Sequence, residues 1–102
     1  MIVALSTCPI DEAKKIAETL VNEKLVASVN VVSNVSTFLR MGKETKWQDE
    51  TLLIMRTRAI HAFELVKRIN ELSSFAVPET ACFEIFEPDE KYRKWLFSCV
   101  KS

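Results

Sequence analysis

Few residues in this chain have the chemistry to form a site, and the first is Cys8 in the stretch STCPID. There an apolar run meets a proline and an amphipathic segment begins. A thiol at a strand-to-helix joint faces the positive end of the helix dipole, which favours thiolate and suits a soft-metal ligand or a nucleophile. Nucleophilic work needs an adjacent base. The only histidine, His61, is placed at the start of a different helix, where a solvated or partly packed role is expected. Cys8 is therefore either a soft-metal ligand or a small apolar residue filling the joint. Glu79 follows Pro78 at the entry to a strand. It reads as an acidic ligand or acceptor in a cleft, or as a carboxylate tying the chain to a neighbouring backbone or cation. Met41, beside a turn, could add a thioether.

The rest of the inventory excludes more than it offers. A single glycine, Gly42, cannot build a glycine-rich phosphate loop. A single histidine rules out multi-histidine metal sites and argues against a histidine-based triad. Cys8, Cys82 and Cys99 are odd in number and form no CxxC pair, against a disulfide framework or a self-contained zinc site. They suit a reducing cytoplasm. Fourteen basic residues balance fourteen acidic ones, so no bulk field draws nucleic acid or an anionic membrane. The start lacks a basic leader, and MIVAL is too short to span a bilayer. A cytoplasmic location is the expectation. At 102 residues, 48% of them hydrophobic, a single domain over 1–102 with one core is expected.

These residues need elements to hold them. IVALST, residues 2–7, reads as a buried strand. From about 11 to 23, Ala13, Ile16, Ala17, Leu20 and Val21 recur at helical spacing, with Thr7 or Asp11 as candidate caps. From Leu25 to about Arg40 the chain is β-branched and alternating, with Ser33-Asn34 as a bulge or bend. MGKETKW reads as a hairpin turn, and a second strand runs from about 46 to 58. Both strands exceed the usual five or six residues, so part of this ribbon must pack on another subunit. A helix over about 59–72 sets Ile60, Phe63, Val66 and Ile69 on one side; Pro78 then breaks the chain. ETACFEIF is a strand, and from Pro88 a last helix puts Tyr92, Trp95, Leu96 and Cys99 on its apolar side. The order βαββαβ predicts an α+β, ferredoxin-like fold: a four-stranded antiparallel sheet, helices on one face, and an added C-terminal helix.

That topology also hosts RNA-binding domains, yet LLIMRTR lacks the aromatic pattern such domains display on this strand. Trp47 and Trp95 are therefore assigned to core or interface packing. Arg40, Lys43, Arg56 and Arg58 are candidates to line an inter-subunit cleft that admits a small anion.

Taken in order, IVALSTCP, LVNEKLVASVNVV, the GK turn, LLIMRTR, VPE at 77–79 and YRKWL resemble the CutA family, the divalent-cation tolerance proteins. The resemblance covers nearly the whole chain. It implies an interlocked homotrimer in which the long hairpin extends neighbouring sheets. It also implies binding of divalent metal, copper especially, with no catalytic reaction. Cys8 and Glu79 stand at the family's cysteine and glutamate and are the metal ligands it implies. The family's usual histidine before VPE is absent, since Ser73-Ser74-Phe75-Ala76 occupies that run. Ser33-Asn34 stands for a usual Pro-Gly, and Leu39 and Met41 for a usual aromatic pair. A weakened metal site is expected. The alternatives are a PII-like regulatory trimer binding a small metabolite or anion between subunits, and a trimeric protein-interaction scaffold.

Overall fold

The computed structural model describes all 102 residues. Strand β1, Ile2–Cys8, alternates strictly: Ile2, Ala4, Ser6 and Cys8 are buried, while Val3, Leu5 and Thr7 are half-exposed. A short 3-10 turn over Ile10–Glu12 leads into α1, Ala13–Asn22. Neither Thr7 nor Asp11 caps this helix; no side chain does. Its far end closes with Lys24 at φ 59. The Lys24 and Leu25 amides return to the Val21 and Leu20 carbonyls, a Schellman ending built without glycine.

The chain then drops Leu25 and Val26 into the core before β2 begins, so β2 spans Ser28–Met41 instead of starting at Leu25. A two-residue turn, Gly42 (φ 63) and Lys43, reverses the chain into β3, Glu44–Thr57. Positive φ at the first turn position is what a type II′ hairpin demands, and glycine supplies it without strain. The bend at Ser33-Asn34 is a real bulge: pairing jumps from Val32↔Leu52 to Val35↔Glu50, with Asn34 at φ 61.

A second 3-10 turn, Ala59–His61, precedes α2, Ala62–Leu72. Its buried face is His61, Leu65 and Ile69, not the Ile60–Phe63–Val66–Ile69 stripe read from spacing; Phe63 and Ile60 point to solvent. Apolar residues occupy both phases of this helix, and the core took the phase containing histidine. His61 is thus buried, contrary to expectation, with its Nε2 2.6 Å from the Lys101 carbonyl oxygen. Strand β4 is short, Thr80–Glu84, and α3 follows as Glu90–Cys99, capped by Asp89 through the Lys91 and Tyr92 amides. Of the face expected on α3, only Leu96 is fully buried.

The sheet order is β2-β3-β1-β4, all antiparallel, with α1 and α2 on one face. This is the ferredoxin-like arrangement that the order of elements predicts. One core joins Ala4, Cys8, Leu53 and Met55 of the sheet to Ile16, Leu20, Leu65 and Ile69 of the helices. The hairpin outruns that core and stretches the molecule to 47 × 24 × 23 Å. Both tryptophans are exposed in the protomer, which leaves them outside the core.

Candidate functional site

The bulge and the strand parity decide where polar side chains collect. On β1 the even residues face the helices, so their cross-strand partners Thr51, Leu53, Met55 and Thr57 do too. Thr7, Glu50 and Gln48 therefore lie on the opposite, helix-free face, with Val35 and Thr37 paired to the last two. Where this face leaves the sheet for the hairpin, residues 75–79 cross it. Together they enclose a cavity of about 460 Å³, lined by Thr7, Thr37, Gln48, Glu50, Phe75 and Glu79 among others. Leu39, Met41, Ala76 and Val77 supply apolar wall, and Arg40 stands at the edge.

The crossing segment is tied to the body at two points and turned on itself at a third. Glu12 Oε1 accepts from the Ser74 amide at 2.9 Å, Ser73 Oγ accepts from the Phe75 amide at 3.2 Å, and Ser6 Oγ donates to the Glu79 carbonyl. The Ser74 hydrogen bonds hold the Glu12 carboxyl below its ordinary range. Pinned backbone on both sides of Phe75 preforms the cavity wall, which keeps the ordering cost of binding low.

Glu50 is the unusual member. It is 3% exposed, yet its carboxylate accepts no hydrogen bond from the chain and forms no ion pair. No buried side-chain oxygen or nitrogen is left sealed without a partner, so the Glu50 oxygens open onto the cavity.

A sequence profile of the family described as CutA1 divalent ion tolerance protein matches residues 2–99. The chain belongs to this family. It is 38% identical to the divalent-cation tolerance protein CutA of Thermus thermophilus, over 92% of each chain. It is 34% identical to the chloroplastic CutA protein of Arabidopsis thaliana, where it spans 56% of that protein's length. A crystal structure of a point mutant of CutA1 from Pyrococcus horikoshii superposes with a TM-score of 0.95 at 30% identity, covering all of both chains.

Within this CutA1 family member, the two residues singled out as metal ligands lie on different sides of the sheet. Glu79 extends from the start of β4 beside Thr7, on the cavity side, and is exposed. Cys8 faces the helices, 1% exposed, packed in the core with Ala13 and Ile16. Burial, reinforced by the negative charges of Glu12 and Glu50, pushes its thiol up to about 11. A thiolate is therefore disfavoured at neutral pH. No three His, Cys, Asp or Glu side chains converge as a ligand set in one protomer. The four basic candidates also separate. Arg40 and Lys43 lie at the hairpin tip, whereas Arg56 binds Asn30 Oδ1 at 2.6 Å and Arg58 stacks on Phe97 at 4.8 Å, toward the far end of β3.

Sequence reasoning passed over Glu50. The spacing alone does not single it out: it shares strand parity with Leu52 and Ile54 but equally with Lys46, Gln48 and Arg56.

Proposed function

We propose that this chain is a non-enzymatic divalent-cation tolerance protein, a cytoplasmic homotrimer of the domain 1–102 that binds divalent metal, copper foremost, with reduced affinity. Relatives bearing that name support the cation-tolerance reading. The observation that carries cation binding is the pair of carboxylates, Glu50 and Glu79, on one cavity. Glu79 is the accessible ligand, and Cys8 becomes one only when the core above it opens. Two carboxylates alone make an incomplete set for a transition metal, so a neighbouring subunit or water must complete it.

Assembly is supported by the hairpin, where Phe38 and Trp47 pair with each other and, like Met41, stay largely exposed in the protomer. No helix is long and apolar enough to cross a membrane. His61 follows the end of β3 that pairs with Ile2, the opposite end of β1 from Cys8, so the two side chains are not placed as a base and its nucleophile. Calorimetric titration of Cu(II), Cu(I) and Zn(II) into wild type, Glu79→Gln and Cys8→Ser tests the reading. Weakened binding in Glu79→Gln supports it; identical isotherms in all three proteins, or no heat at all, refute it.

The cavity favours a second reading, a regulatory trimer that binds a small metabolite. Its volume lies within the range of small-molecule sites, well above what one metal ion fills.

A further inference from the structure

On the second of these readings, that the cavity takes a small metabolite, the ligand's chemical class follows from the lining. We infer that the cavity binds a small organic ammonium ion, its charged head on Glu50 and its apolar body against Leu39, Phe75 and Val77.

Charge comes first. Two carboxylates, Glu50 and Glu79, face one guanidinium, Arg40, leaving the lining with a net charge of −1. Glu79 and Arg40 are exposed, whereas Glu50 is 3% exposed and meets water only through the cavity. A largely buried carboxylate with no internal donor is costly, and a cation in the cavity offsets that cost. The protomer supplies none: its ion pairs involve residues of the helices and their ends and the C-terminal Lys101, away from Glu50.

The kind of cation follows from the walls. A bare divalent ion wants a cage of charged oxygens, and here the one buried carboxylate shares its cavity with neutral hydroxyl and amide groups and with aliphatic and aromatic side chains. An ammonium needs three acceptors at its head, which Glu50 can share with the Thr7 and Thr37 hydroxyls or the Gln48 amide oxygen of the same lining. The Phe75 side chain, in the same lining, adds apolar surface for the methylene chain of such an ion. Leu39, Met41, Ala76 and Val77 then bury carbon, not ligand charge. The two ties of residues 73–79 to Ser6 and Glu12 mean that this wall is in place before ligand arrives.

Amide-resolved NMR titration of the whole protein with n-butylamine, n-butanol and butyrate, at matched pH and ionic strength, tests the assignment. The expected result is saturable shifts at Thr37, Gln48 and Val77 with butylamine, and binding of butanol and butyrate at least tenfold weaker. Glu50→Gln, with its fold checked by circular dichroism, should weaken butylamine about tenfold or more, the value of one charged hydrogen bond. Should that variant not fold, Glu79→Gln, altered at an exposed position, should still weaken butylamine severalfold by removing half of the negative charge. Butanol or butyrate binding as well as butylamine would overturn the ammonium assignment and leave the cavity as a ligand site. No shift with any of the three would overturn the ammonium assignment and the metabolite reading together. Equal butylamine affinity in folded Glu50→Gln and wild type would overturn the role of Glu50.

Discussion

The hairpin tip gives the strongest test of assembly. Phe38 and Trp47 are cross-strand partners beyond the bulge, their ring centroids 6.2 Å apart, 69% and 66% exposed. Aromatic side chains carry roughly 150–250 Å² each, so together these two leave about 300 Å² of apolar ring in water. At about 25 cal/mol per Å², covering it fully is worth about 7 kcal/mol per hairpin; immobilisation and imperfect fit leave about half of that as an upper working value. The double substitution Phe38→Ser, Trp47→Ser should therefore cost about 3 kcal/mol per subunit in assembly, about a hundredfold in the dissociation constant per hairpin. Neither ring belongs to the helix–sheet core, so the variant protomer should keep its secondary structure. Light scattering across a dilution series reads the mass; circular dichroism reads the fold. Wild type at the mass of one 11.7 kDa protomer, or a double variant that stays assembled at the same dilution as wild type, would refute the reasoning.

Three other perturbations probe the protomer. Raising the Cys8 thiol from 9.0 to about 11 means that between these values the unfolded chain has released a proton the native state retains. Stability then falls as pH rises from 9 to 11, by about 2 to 3 kcal/mol, and urea unfolding of Cys8→Ala should lack that component of the alkaline loss. Lys24, at φ 59, strains a Schellman ending that glycine fills freely, so Lys24→Gly should raise the unfolding midpoint, with a gain of up to about 1 kcal/mol. Replacing His61 with alanine removes the bond to the Lys101 carbonyl inside a buried contact; a loss of about 1 to 3 kcal/mol by chemical denaturation is expected, with the C-terminal amides exchanging faster.

The fold was readable because period-2 and period-3.6 patterns changed cleanly along the chain, and because Ser33-Asn34 and Gly42 mark the two places where the ribbon needs unusual backbone. Helix α2 was misphased for a physical reason. Ile60, Phe63 and Val66 make as good a stripe as His61, Leu65 and Ile69, and only contact with β4 and the C-terminal segment chooses between them. Similarly, Leu25 and Val26 look like strand residues but serve as core plugs after the Schellman turn. The cavity was legible only in part. Glu79 carries a local signal, the preceding proline, whereas Glu50 becomes notable only once residues 75–79 fold across it and leave the cavity as its route to water.

Strand parity also sets how this protein can meet a soft metal. Thr7 and Cys8 are consecutive, so one faces the cavity with Glu79 and the other faces the helices; no rotamer change brings the Cys8 thiol and the Glu79 carboxylate onto one ion. Capture of a soft ion by Cys8 must wait for α1 to lift from the sheet, an opening whose frequency amide exchange in β1 reports. In a Cys82→Ser, Cys99→Ser background, which removes the two more accessible thiols, reaction of Cys8 with Hg(II) should follow the rate at which the β1 amides open and should not depend on metal concentration once metal is in excess. It should accelerate when urea is raised within the native range. The carboxylate side, open to solvent at Glu79, should by contrast equilibrate with a hard cation within the mixing time. Prompt, concentration-dependent capture by Cys8 at a rate far above amide opening would show that the thiol has its own route to solvent, and the separation of the two faces would then not govern the chemistry.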